Sequence, residues 1–133
     1  MPVLTLKTNA LQDEAQKLAL ARALTRLTAE TLGKQAGVTA VLVETLPSSH
    51  WFVGLEQVQH TTALLEIGIT AGTNTAEQRS AYISASWALL KAQLPDGAAL
   101  TEASYVIVRE IPSTDWGYGG RTQQARKANA AGA

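Results

Sequence analysis

Apolar residues gather in four short runs: VLTLKT from Val3, AVLV from Ala40, ALLEIGIT from Ala63 and YVIV from Tyr105. Each reads as a strand, because β-branched and aromatic side chains suit a pleated surface. Between the first two runs the period changes. Leu20, Leu24, Leu27 and Thr31 recur at helical spacing, which predicts a helix from about Gln12 to Leu32, with Gly33 at its C-terminal cap. Between the last two runs, Ile83, Trp87, Leu90 and Leu94 form one stripe of a second helix. Thr75, or Asn74 before it, caps that helix, and Pro95-Asp96-Gly97 ends it. The order is strand, helix, strand, twice.

The halves share wording as well as order. LPSSHWFVG, Leu46 to Gly54, returns as IPSTDWGYG, Ile111 to Gly119. A shift of sixty-five positions sets Val41 on Val106, Pro47 on Pro112, Trp51 on Trp116 and Gly54 on Gly119. Further upstream the offset slips to sixty-three, which sets Glu14 on Glu77 and Leu6 on Ile69. Residues 2–57 and 62–120 thus form an internal repeat within one domain spanning 1–120. Residues 121–133 are a polar, Ala-rich tail, a loose or docked extension. A crossover helix makes each strand pair parallel and right-handed. The expected fold class is α+β (α/β): two fused βαβ units forming a four-stranded mixed sheet with two helices on one face. The strands carry apolar residues on both faces, so the helix-free face also asks for cover. Another copy of the chain is the simplest cover.

Composition narrows the function. The 133 residues are 46% hydrophobic, enough for one core. Eleven acidic and eleven basic side chains cancel, so the cationic surplus that nucleic acid requires is missing. The lack of cysteine excludes disulfides, thiolate catalysis and Cys-based zinc sites. His50 and His60, ten positions apart, make a poor metal site. No run reaches the roughly 18 apolar residues of a membrane span. MPVLTLKTN lacks the basic-then-apolar layout of a signal peptide. No metal, cofactor, nucleic acid or membrane partner is expected, and the cytoplasm is the expected location.

The chain opens Met1-Pro2. A small second residue ordinarily leads to removal of the initiator Met, leaving Pro2 as a free secondary amine at the head of a strand. Together with the doubled βαβ unit, the Gly33-Lys34 pair, ITAGTNTAEQR before the second helix, and the SSHWFVG and STDWGYGG hairpins, this resembles the tautomerase superfamily over residues 2–120. The resemblance implies the tautomerase/MIF fold, a homotrimeric barrel of three sheets wrapped by six helices. It also implies a cofactor-independent isomerase with Pro2 as general base or acid. Physically, apolar surroundings penalise the charged amine and lower its pKa toward neutrality. It can then carry a proton to and from a carbon of an enol or dienol. A proline that merely starts a strand is the other reading. In the offset above Pro2 falls on Leu65, an internal residue, so each chain has one such amine.

Relatives commonly bind carboxylates with arginines, and here the pattern departs. Thr73 stands where the turn before the second helix carries arginine in related branches, as does Thr70 relative to the dehalogenase branch. Gln12 stands at the arginine position of the 4-oxalocrotonate tautomerase branch. A threonine hydroxyl cannot form a bidentate clamp. Lys34 resembles a pocket lysine, or is a solvated cation at a helix end. Tyr105 aligns with a tyrosine that a neighbouring subunit supplies in the migration inhibitory factor branch. Its phenol either meets a developing enolate oxygen or packs in an interface. Arg109 alternates onto the same strand face as Tyr105 and Ile107. Trp51 and Trp116 both fall near a pocket aromatic, one for the pocket and one for an interface. His50 is a titratable group beside Trp51, or a hairpin-tip residue bonded to the backbone. The expected substrate is a small 2-oxo or enol carboxylic acid undergoing keto–enol proton transfer. The alternatives are a decarboxylase or hydratase of unsaturated C3 acids, or a non-catalytic trimeric binding or scaffold protein.

Overall fold

The computed structural model describes residues 1–10 and 13–132. In chain order, β1 (Val3–Thr8), α1 (Glu14–Leu32) and β2 (Ala40–Thr45) lead to a small hairpin, β3 (Phe52–Val53) and β4 (Glu56–Gln57). Then β5 (Ala63–Thr70), α2 (Ala76–Gln93) and β6 (Tyr105–Ile111) repeat the unit. A second hairpin follows, β7 (Gly117–Tyr118) and β8 (Arg121–Thr122), and α3 (Gln123–Gly132) ends the chain. The four long strands form one mixed sheet in the order β2-β1-β5-β6. Within each unit the strands are parallel, and β1 meets β5 antiparallel at the join.

The helix ends follow from their caps. Asp13 accepts a hydrogen bond from the Gln16 amide to open α1, while Gln12 lies outside the described residues. Gly33 closes the helix at φ 68°, a left-handed conformation that a side chain would strain. Thr75 and Gln78 form a reciprocal capping box on α2. Each cap contributes on the order of 1 kcal/mol.

The core lies between the sheet and the two long helices. Leu4 and Leu6 of β1 and Leu65, Ile67 and Ile69 of β5 meet Leu20, Leu24 and Leu32 of α1 and Leu90 of α2. Each fully buried side chain of this kind contributes roughly 1.5–3 kcal/mol. The stripe on α2 differs from the sequence expectation. Ile83 is 41% exposed, and Tyr82 and Ser86 are buried beside Leu90. Tyr82 tolerates burial because its hydroxyl lies 2.8 Å from that of Thr28, which itself donates to the Leu24 carbonyl. On α1 the fully buried positions are likewise Leu20, Leu24, Thr28 and Leu32, with Leu27 packed more shallowly.

The opposite face of the sheet carries Val3, Thr5, Lys7, Leu64, Glu66, Gly68 and Arg109. Leu42 and Tyr105 on this face are 54% and 63% exposed.

The hairpins repeat closely. Val58 N–H donates to the Trp51 carbonyl and Gln123 N–H to that of Trp116, both at 2.9 Å. Gly54 and Gly119 share φ near 60°, at 61° and 63°. The strand pairings correct one alignment. Leu4 pairs with Val41 and Leu65 with Val106, so repeat mates Val41 and Val106 make Leu4 the mate of Leu65. Pro2 therefore corresponds to Ala63, not Leu65. No helix among the described residues is long and apolar enough to cross a membrane.

Candidate active site

At one end of the sheet β1 begins where β5 finishes, with Val3 opposite Gly68. The end of α1 and the start of α2 converge there, because the Asn74 side chain donates to the Leu32 carbonyl at 2.9 Å. Pro2 is buried, and its carbonyl accepts from the Ala40 amide at 3.1 Å. Directly after the Gly33 turn, Lys34 reaches across to the turn before α2. Its Nζ donates to Thr73 Oγ1 at 2.9 Å, and that hydroxyl donates to the Thr70 carbonyl at 2.6 Å. Thr73 thus acts as a fixed acceptor for the ammonium.

Both amines at this end are easier to deprotonate than in water. Partial burial lowers the pKa of the Met1 amino group, and the charge of Lys34 lowers it further. Burial also lowers the pKa of Lys34.

The apolar part of this end depends on a glycine. A Cβ on Gly68 would stand 3.1 Å from Ile111 Cδ1, 3.4 Å from Val3 Cγ1 and 3.8 Å from Trp116 Cζ3. With no side chain at position 68, these three gather over the strand. The Trp116 indole nitrogen is buried and has no hydrogen-bond partner among the described residues.

Arginines of the same region are already engaged. Arg79 donates to the Asn74 carbonyl at 2.7 Å and pairs with Glu110 at 3.1 Å. Arg109 grips both oxygens of Glu66, at 3.1 and 3.2 Å. That hydrogen bond and charge hold the Glu66 carboxyl below its ordinary pKa.

The remaining sequence candidates stand elsewhere in the chain. His50, Trp51 and Tyr105 line a cavity of about 580 Å³ with Lys7, Phe52 and Leu64. Leu64 pairs with both Lys7 and Tyr105, so this cavity sits at the end where β1 finishes. One chain therefore gathers Pro2, Lys34, Thr70, Thr73 and Trp116 at one end, and His50, Trp51 and Tyr105 at the other. Arg109 pairs with Gly68 near the first end, on the open face, and reaches back to Glu66. Sequence reasoning missed Gly68 and read Asn74 only as an alternative cap of the second helix. A glycine inside a strand signals close approach and could have been found, whereas the bridge from Asn74 to α1 has no local signature.

Residues 2–60 match the family model described as Tautomerase enzyme. No curated protein matches the chain. Among solved structures, native fused 4-OT is 27% identical with a TM-score of 0.77, over 92% of this chain and 97% of that one. A fused 4-OT wild-type symmetric trimer is 25% identical with a TM-score of 0.79, over 93% and 98%. A fused 4-OT wild-type asymmetric trimer is 24% identical with a TM-score of 0.81, over 94% and 98%. The mixed sheet built from two βαβ units matches these structures.

Proposed function

We propose that this chain, which matches the tautomerase superfamily by sequence over residues 2–60 and by fold along its length, is a cofactor-independent keto–enol isomerase. The observation that carries this reading is Pro2, buried at the head of β1 at the end of the sheet where Lys34 meets Thr73. With Met1 removed, the secondary amine of Pro2 becomes the terminus at this end of the sheet. In its neutral form it takes a proton from the carbon next to the carbonyl of a small 2-oxo acid. The carbonyl oxygen gains that electron pair as an enolate, which Lys34 stabilises by charge before protonation to the enol. The reverse sequence ketonises the enol, and a dienol allows the 1,5-transfer.

A homotrimer accompanies this reading. The open sheet face, with Leu42 and Tyr105 exposed, would turn toward neighbouring copies. Related fused 4-OT structures are described as trimers. His50, Trp51 and Tyr105 would then serve the site only across such a contact.

The test compares wild type with Pro2→Ala for ketonisation of phenylenolpyruvate and of 2-hydroxymuconate, with intact mass establishing the first residue. Wild type lacking Met1 should outpace Pro2→Ala by about 10²–10⁴-fold, the range for general acid–base transfer. Equal rates, or a retained Met1 in an active protein, would end the proposal.

A further inference from the structure

We propose that Arg126 of α3 is a positioning residue for the amino-terminal site, holding the β7–β8 hairpin so that Trp116 stays over Gly68. Nε and Nη2 of Arg126 both donate to the Tyr118 carbonyl, at 3.0 and 2.8 Å. Its guanidinium carbon also lies 3.7 Å from the centre of the Tyr118 ring. One side chain thereby grips a single hairpin residue by its backbone and its ring.

The helix that carries Arg126 is fastened to the same hairpin. The first amides of a helix have no partner within it. Here Gln123 N–H donates to the Trp116 carbonyl at 2.9 Å and Gln124 N–H to that of Ser113 at 3.0 Å. Ala125 N–H donates to Thr122 Oγ1 at 3.0 Å. Gly119 leaves room for the grip, since a Cβ there would strike the Arg126 guanidinium.

The first hairpin supplies the contrast. Its matching glycine, Gly54, has open space where a Cβ would stand. Phe52 is 63% exposed and Leu55 fully exposed. Of the two hairpins, the one gripped by a helix is the one whose tryptophan shares the space over Gly68 with Val3, the neighbour of Pro2. Trp116, Ile111 and Val3 together gather over Gly68 at this strand end. Loosening the hairpin admits water, which favours the charged amine and moves its pKa upward.

The consequence for catalysis rests on the proposed function, and the grip itself does not. The full chain is compared as wild type, Arg126→Ala, Arg126→Lys and Arg22→Ala, the last on the exposed face of α1. Amide hydrogen exchange at Gln123 and Gln124 should speed about tenfold in Arg126→Ala while β1 and β5 amides keep their rates. KM for phenylenolpyruvate should rise about tenfold with kcat little changed, for the same lost contacts. The acid limb of kcat/KM should move to higher pH. Lysine should restore part of each effect through its single charge, and Arg22→Ala should match wild type. Unchanged exchange at Gln123 and Gln124 overturns the proposal. So does faster exchange with KM and pH profile unmoved in an active enzyme. If wild type ketonises neither substrate, the proposed function fails, and amide exchange alone decides whether Arg126 holds the hairpin.

Discussion

Lys34 and Thr73 come from different βαβ units and meet at 2.9 Å, joining the end of the first helix to the approach of the second. Thr73 has one hydroxyl hydrogen, and the Thr70 carbonyl takes it at 2.6 Å. Its oxygen is left as an acceptor, which suits an ammonium and would not suit a second carbonyl. The pair presents a single point charge held by a neutral anchor.

That arrangement predicts separable effects. Lys34→Ala should raise KM for an enol acid by roughly tenfold to a hundredfold, the range for losing a hydrogen bond from a charged group. It also removes a charge that, after burial, lowers the pKa of the Met1 amino group, and the same charge would act on a Pro2 amine at this end of the sheet. The amine must be neutral to abstract a proton, so the acid limb of kcat/KM should move to higher pH. Thr73→Val should raise KM less, and Thr73→Ser should behave like wild type. A pH–rate profile that Lys34→Ala leaves in place would separate Lys34 from the catalytic amine.

The Glu66–Arg109 pair makes a prediction about stability. Its folded carboxyl has a pKa below the unfolded value, because the Arg109 hydrogen bond and charge favour the ionised form. The unfolded chain therefore binds this proton first as pH falls. The pair's contribution is complete above the ordinary carboxylate pKa of 4.5 and fades as pH drops through the lower folded value. Thermal melts of wild type and Glu66→Gln should differ at neutral pH and converge in acid below that range. A gap that stays constant to strongly acidic pH would mean that the pair does not act through this carboxylate.

Leu55 predicts a gain. It is fully exposed at φ 74°, and its repeat mate Gly120 holds φ 79°. A side chain in this region costs about 1–2 kcal/mol, partly offset by the greater freedom of glycine when unfolded. Leu55→Gly should raise Tm by roughly 2–4 °C, as expected from a net gain near 1 kcal/mol. A lower Tm would show that the leucine makes a contact worth more than the strain.

The fold was legible because strands and helices each left their own period, and β5 falls on the expected ALLEIGIT. The stripe of α2 was harder to place. Tyr82 and Ile83 are adjacent and both bulky, and the choice of which turns inward is made by a hydroxyl on the other helix, Thr28. No local pattern contains that partner. The site divided along similar lines. Lys34 and Thr73 were visible as residue types in turns, but their meeting depends on Asn74 fastening one helix end to the other. His50, Trp51 and Tyr105 were grouped with Pro2 by resemblance, and in one chain the length of the sheet separates them.

The correspondence of Pro2 with Ala63 has a chemical result. Ala63 occupies the like position in the second unit, but its nitrogen belongs to a peptide bond and donates to Ser104 Oγ at 2.9 Å. Such a nitrogen neither titrates nor carries a usable lone pair. Joining two half-length units into one polypeptide keeps both strand openings and silences one of them.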